Sequence, residues 1–275
     1  MGIVAFSIGD VNVYWYGIII TIAILIGMII TWINVYLRGQ EFSRVVDILL
    51  FGIPVGFLFG RLGQVILHWD NYQNNWSEIL QCAHGGISIY GAFLGFILVV
   101  FLYTSAKRLS FWFWLDILVP AIVFALMLDQ LGHFVLQVTV GTPLPLNIPN
   151  DHSLVQYIEY DFRPSGFEGY EYFRPVALYQ AIAQFVVFVA SIILSFLQIR
   201  RNNIKQGTIF LISIFFVALI RFFCGFLYLG APANDTLHFG QITCLLGSML
   251  CLCIWCLRKY QRQNFFFGTL FKFLK

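Results

Sequence analysis

The sequence predicts an all-α integral membrane protein with seven transmembrane helices. Three observations lead there. Of the 275 residues, 60% are hydrophobic and only 11% are charged, against about 25% charged in a soluble domain. The mean hydropathy is +0.82. Charge-poor apolar windows recur along the chain, each near the roughly 20 residues that cross about 30 Å of hydrocarbon. This composition argues against a soluble enzyme with a solvated surface, and against a disordered or coiled-coil chain. The length suits one polytopic membrane domain over residues 1–275.

The windows follow in order. The first is YWYGIIITIAILIGMIITWINVYL, between Asp10 and Arg38. The second covers roughly 48–67 and is interrupted by Arg61. The third covers roughly 87–104, and the fourth roughly 111–128, carrying Asp116. The fifth, sixth and seventh cover roughly 176–197, 208–228 and 240–257, with Arg221 inside the sixth. No basic residue precedes Arg38, so a cleaved secretory signal is not expected.

Seven spans put the termini on opposite sides. Twelve of the sixteen basic residues then share one side with the C-terminal tail, among them Arg38, Arg44, Lys107, Arg108, Arg200 and Arg201. Only Arg163 and Arg174 fall on the other side, while Arg61 and Arg221 lie within spans. Basic residues favour the cytoplasmic face, so the N-terminus is expected outside and the C-terminus inside. The connection between spans four and five, 129–175, is expected outside. Its first half, QLGHFVLQVTVGTPLPLNIP, reads as a re-entrant or interfacial segment. Its acidic, Tyr-rich second half reads as a small periplasmic-side cap. The tail, 258–275, is basic and aromatic and suits the cytoplasmic leaflet.

An ionisable residue inside a span is costly and marks a candidate site. Four stand out: Arg61, Asp116, Asp129 and Arg221. Two readings of Arg61 and Arg221 are open. They form an interhelical salt bridge with Asp116, or they clamp a lipid phosphate, which the planar donor fork of Arg suits. For Asp116 a structural role is expected. Asp129 and His133 are four apart and share a face if the helix continues, with Gln130 beside them. Gly85, Gly86, Gly91 and Gly95 surround Tyr90; the Gly91–Gly95 pair is a G-x-x-x-G that lets helices approach closely. His84 is expected as an interfacial residue, and the sequons at Asn75 and Asn234 fall outside. Five of the six Cys lie in apolar stretches, and the C-x-x-C of Cys253 and Cys256 reads as apolar packing. No metal-ligand spacing is present in the sequence.

In family order, these segments resemble the bacterial prolipoprotein diacylglyceryl transferases. VYWYGIIITIAI is similar to the family's first-span opening, with Tyr16 at its W-Y-G tyrosine. FGRLGQVILHWDNYQNNWSEIL, GGISIYGAFLG, QLGHFVLQVTVGTPLPLNIP, RPVALYQ, IRFFCGFLY and FGQI follow at the places of further family blocks. The resemblance spans nearly the whole chain. Departures from the pattern are specific. In the signature, the family's Gly, Arg, Asn, Asn and Glu are Asp129, Gln130, His133, Leu136 and Val138 here. Gly132, Phe134, Gln137 and Gly141 hold. In the sixth span Arg221 is kept, but the pattern's Glu is Gly225, its next Arg is Tyr228, and its tyrosine is Val217. The family's frequent third-span His is Tyr90, and in RPVALYQ the His and Glu are Arg174 and Gln180.

The resemblance implies an inner-membrane enzyme that moves the diacylglyceryl group of phosphatidylglycerol onto the thiol of a lipobox Cys in a prolipoprotein signal peptide. Glycerol phosphate leaves, and no metal, cofactor or nucleic acid is expected. Such a reaction needs cationic donors for the leaving phosphate, a thiol near its thiolate, and a cavity open to lipid. Tyr90, His133 and Arg221 are the candidate catalytic residues. Tyr16, Arg61, Gln130 and Gly141 are the candidate phospholipid contacts. Losing the signature Arg and Glu together removes an ion pair as a unit, which costs less than stranding one charge. That erosion supports an alternative reading, a non-catalytic paralogue that binds phospholipid or lipoprotein precursors. A third, an unrelated channel or transporter, would call for repeats and paired broken helices, which the sequence does not show.

Overall fold

The computed structural model describes residues 4–8, 11–67, 69–72, 87–144, 155–201, 204–229 and 239–273. Cys82, His84, Gly85, Gly86 and the two sequons lie outside the described residues. In chain order the elements are β1 (Val4–Ile8), β2 (Val11–Tyr14), α1 (Trp15–Leu37), α2 (Ser43–Leu67), α3 (Trp69–Tyr72), α4 (Ile89–Ala106) and α5 (Phe111–Val135). There follow β3 (Gln156–Tyr157), β4 (Tyr172–Phe173), α6 (Val176–Arg201), α7 (Thr208–Cys224) and α8 (Phe239–Phe273). Among the described residues seven helices are long and apolar enough to cross a membrane, as the fold class predicts. The chain divides into two compact units, one of Met1–Ile30 with Leu118–Lys275 and one of Thr31–Ile117.

In the second unit, α2 and α4 meet backbone to backbone. Gly52, Gly56 and Gly60 line one face of α2 at four-residue spacing, and all are buried. A Cβ on Gly91 would lie 2.3 Å from the Phe59 carbonyl oxygen, and one on Gly95 would lie 2.9 Å from that of Val55. The Ser88 amide donates to the Gly60 carbonyl at 2.9 Å. The G-x-x-x-G therefore works here as a packing face. Two polar clusters fix helix ends. Tyr103 donates to Asp47 at 2.8 Å. Asn34 donates to the Ile117 carbonyl at 2.9 Å and accepts from Arg38 at 3.1 Å. Burial lowers the pKa of Arg38, and the fully buried Asp116 carboxylate opposes that shift. Asp116 thus acts on a cation at a helix end.

In the first unit, β1 and β2 form an antiparallel hairpin ahead of α1. Helix α5 differs from expectation. It runs to Val135, so residues 129–135 continue the helix beyond the apolar window that ends at 128. The reason is that Asp129 and His133 fall one turn apart on a single face whose polar groups find partners, so they do not end the helix. The chain then turns through Gln137, at φ 52, and runs as an extended loop. That loop bridges Gly141 to Tyr228 and Pro143 to Phe173. Beyond it, β3 pairs with β4 in a small cap centred on Arg163. Its guanidinium donates to the carbonyls of Ile158 (3.1 Å) and Glu168 (2.9 Å) and lies over the rings of Tyr157 and Tyr160. At the far end, α8 continues unbroken for 35 residues, through much of the basic, aromatic stretch read as a cytoplasmic tail. The α6–α7 turn is tied to α8 there. Lys205 donates to the Arg258 carbonyl at 3.0 Å, and Arg258 donates to that of Gln206 at 2.8 Å.

Candidate functional site

Polar side chains from α1, α5 and α6, and from the residue that follows α7 and its short 3-10 turn, converge in the first unit. Asp129 is the centre. Its Oδ1 accepts from the Tyr16 hydroxyl at 2.6 Å, and its Oδ2 accepts from Gln130 Nε2 at 3.1 Å. His133 Nε2 stands 3.8 Å from the same Oδ1. The imidazole also stacks on the Tyr16 ring, with centroids 5.6 Å apart. Helices α1 and α5 can approach this closely because Gly132 faces Ile19; a Cβ there would lie 3.3 Å from the Ile19 side chain. The one-turn spacing of Asp129 and His133 then presents both to Tyr16.

The network continues away from α1. The Tyr228 hydroxyl lies 3.1 Å from Gln180 Oε1 and 3.4 Å from Gln130 Oε1, both acceptors. The loop fixes Tyr228 by backbone bonds, Thr142 to the Leu227 carbonyl (2.9 Å) and Leu229 to the Val140 carbonyl (3.0 Å). Gly141 makes this pairing possible. A Cβ there would lie 2.3 Å from the Arg174 carbonyl oxygen and 2.6 Å from the Val176 side chain. Its lack of a side chain is thus explained by close packing. Burial pushes the Tyr228 phenol up to about 12, against the opposing charge of Arg221. Arg221 stands in the last turn of α7, just ahead of Tyr228 in the chain, and its charge bears on that phenol. Chemically, the site offers a fixed carboxylate, an imidazole beside it, two phenols, carboxamides and a guanidinium. It can accept a proton at His133 and stabilise an anion at Arg221.

Four residues predicted from the sequence meet here: Tyr16, Gln130, His133 and Arg221. Gly141 lies just beside them. Arg61 and Tyr90 belong to the other unit. There Arg61 is buried in α2, with its guanidinium 5.3 Å from the Tyr72 ring centroid. Tyr228 and Gln180 enter the site although the sequence marked them only as departures from a pattern. Their signal is positional, since both occupy places that the pattern gives to charged residues. Of the other departures, Gly225 has a close neighbour that a larger side chain would meet. Gln241 from α8 lies over Gly225, with its Cγ 2.7 Å from where a Cβ would be. Leu136 is buried, and Val138 is exposed. Among the described residues no group of three or more His, Cys, Asp or Glu could hold a metal ion.

A family model described as prolipoprotein diacylglyceryl transferase matches residues 3–257. The chain is similar to the phosphatidylglycerol–prolipoprotein diacylglyceryl transferase of Listeria monocytogenes, with 31% identity over 220 residues, 80% of this chain and 76% of the relative. The enzyme of the same description from Bacillus licheniformis is 29% identical over 260 residues, covering 94% and 92% of the two chains. That of Halalkalibacterium halodurans is 27% identical over 254 residues, covering 92% and 85%.

Proposed function

Because the chain belongs to the prolipoprotein diacylglyceryl transferase family, we propose that it transfers the diacylglyceryl group of phosphatidylglycerol to the lipobox cysteine thiol of prolipoproteins. It is a multi-pass protein of the bacterial cytoplasmic membrane. The observation that carries the reading is the convergence of Tyr16, Asp129, Gln130, Gln180, Arg221 and Tyr228, whose positions all fall in the family's sequence blocks. The family match and the relatives favour transfer over a non-catalytic role.

The chemistry follows from these groups. The cysteine thiol gives its proton to His133, which the Asp129 carboxylate and the Tyr16 ring hold in place. The thiolate attacks the glyceryl carbon, an S–C bond forms, and the C–O bond to phosphate breaks. The electron pair leaves with glycerol phosphate, whose growing charge Arg221 meets. The proton on His133 is then released. The orientation expected from the basic residues would put this site on the outer side of the membrane, where secreted precursors arrive. Arg61, an ionisable residue within a span, is proposed as a lipid contact and Tyr90, at the place of the family's third-span His, as a catalytic residue, and substitution at each belongs in the same assay.

The test is transfer in vesicles from phosphatidylglycerol to a lipobox peptide, alongside complementation of a conditional transferase deletion. The wild-type chain should yield thioether-linked lipopeptide and glycerol phosphate and should rescue growth. Arg221→Ala should reduce transfer at least about a hundredfold, the scale of losing one transition-state donor. Well-expressed, folded protein that neither rescues nor transfers would sink the reading.

A further inference from the structure

Two glutamines on α6 stand apart from every other polar side chain on that helix. Gln180 is 1% exposed and Gln184 is fully buried. They are one turn apart and share a face. Gln180 Oε1 lies within bonding reach of the Tyr228 hydroxyl. Gln180 Nε2 and both polar atoms of Gln184 find no partner among the described residues. Three of the four amide atoms are therefore buried and unpaired, beside the network described above.

Structural glue between helices does not account for this pattern. Polar groups that bind membrane helices together do so by making the bond. Farther along α6, Ser191 donates to the Phe188 carbonyl at 2.7 Å, and Gln198 reaches the carbonyls of Ile204 and Lys205. Those side chains are satisfied within the fold. An apolar residue at 184 would avoid the cost of an unpaired amide in a place water does not reach. A group that pays this cost in the free protein is explained if a ligand pairs with it.

The ligand chemistry follows from what is unpaired. Both amides present N–H donors, and Gln184 also presents a carbonyl acceptor. A phosphate or an ester carbonyl accepts only, and would leave the Gln184 oxygen facing another oxygen. An ammonium donates only, and would face two N–H groups. A hydroxyl both accepts and donates, and it satisfies the set. From this we infer that Gln180 and Gln184 recognise an uncharged glyceryl hydroxyl on the headgroup of the donor lipid. Gln184 stands about 12 Å along α6 from its first residue, at 1.5 Å per residue, so the headgroup would enter below the Tyr228 level. The inference rests on the transferase reading only in taking the ligand to be the donor lipid.

The experiment compares two donors in the full-length protein: phosphatidylglycerol and phosphatidylpropanol, which has the same charge and no free hydroxyl. Wild-type protein should prefer phosphatidylglycerol by about 10–100-fold in kcat/KM, the scale of a hydroxyl bond made or left unmade. Gln184→Leu should bring phosphatidylglycerol down to the phosphatidylpropanol rate, so that the ratio approaches one. Gln184→Met, close in shape, should do the same if the leucine variant folds poorly. Equal use of both donors by wild type would overturn the inference. So would an unchanged ratio in the variants, including a parallel loss with both donors. Binding of each lipid to purified protein, read by native mass spectrometry, separates the two readings. Binding selective for phosphatidylglycerol and dependent on Gln184, with no transfer from either donor, would sink the transferase reading and uphold this one. Equal binding of the two lipids would sink this one whatever the transfer assay shows.

Discussion

Adding one methyl group at Gly91 tests the packing that holds α2 against α4. An alanine Cβ would lie 2.3 Å from the Phe59 carbonyl oxygen, 3.0 Å from its carbon and 3.2 Å from the Gly60 Cα. All three are backbone atoms, so no side chain can swing aside. Restoring an ordinary contact of about 3.4 Å would need the helices to part by about 1 Å, and a gap of that size forfeits a quarter to a half of each contact along the seam. Overpacking of this kind costs about 1–3 kcal/mol, and the rigid neighbours put Gly91→Ala at the upper end. Gly247→Ala is the matched control, because a Cβ there meets nothing within 4 Å. That change should be neutral or stabilising by up to about 1 kcal/mol, through helix propensity. The assay is thermal unfolding in detergent, where about 3 kcal/mol should lower the Tm by about 6–12 °C. A Gly91→Ala protein as stable as wild type, or a Gly247→Ala protein equally damaged, would refute the reasoning.

Three further outcomes are expected. Tyr16→Phe removes the 2.6 Å bond to Asp129 and should lower transfer kcat/KM by about 10–100-fold, as about 1.5–3 kcal/mol for a bond to a charged group implies; a change below twofold would count against the network. Arg163→Ala removes two carbonyl bonds and the stacking on Tyr157 and Tyr160. It should speed proteolysis within 155–175 without moving the global Tm by more than about 2 °C, since the cap opens locally. Tyr228 is neutral to about pH 12 when folded and ionises near 10 when unfolded. The unfolded state then binds fewer protons between those values, so stability falls as pH rises from 10 to 12. Tyr228→Phe should show a shallower loss over that window than wild type, and equal slopes would disprove the burial of the neutral phenol.

The spans were legible because lipid leaves no place for scattered charge, and gaps between charges mark helices almost directly. Their ends were less so. The charge-free window stopped at 128, yet α5 continues to Val135, because whether Asp129 ends a helix depends on Tyr16, more than a hundred residues earlier. Helix α2 begins at Ser43, before its window, since Arg44 and Asp47 are tolerated at a helix end. The hairpin of β1 and β2 left too short a trace of alternation to read. In the site, Tyr16, Gln130, His133 and Arg221 could be picked out by type and place. Gln184 could not, because a single amide among A-I-A-Q-F-V-V matters only once its neighbours are known to offer it nothing.

The Tyr228 hydroxyl has one proton and two carbonyl acceptors, Gln180 at 3.1 Å and Gln130 at 3.4 Å. It can serve only one of them at a time. Rotation about a single C–O bond moves that proton from the α6 side to the α5 side with no heavy atom displaced, and each setting frees the other amide carbonyl. An incoming donor that takes over Gln180 would thereby hand the phenolic proton to Gln130. Occupancy on one helix would thus be felt on the other through a hydrogen atom alone, with the backbone at rest.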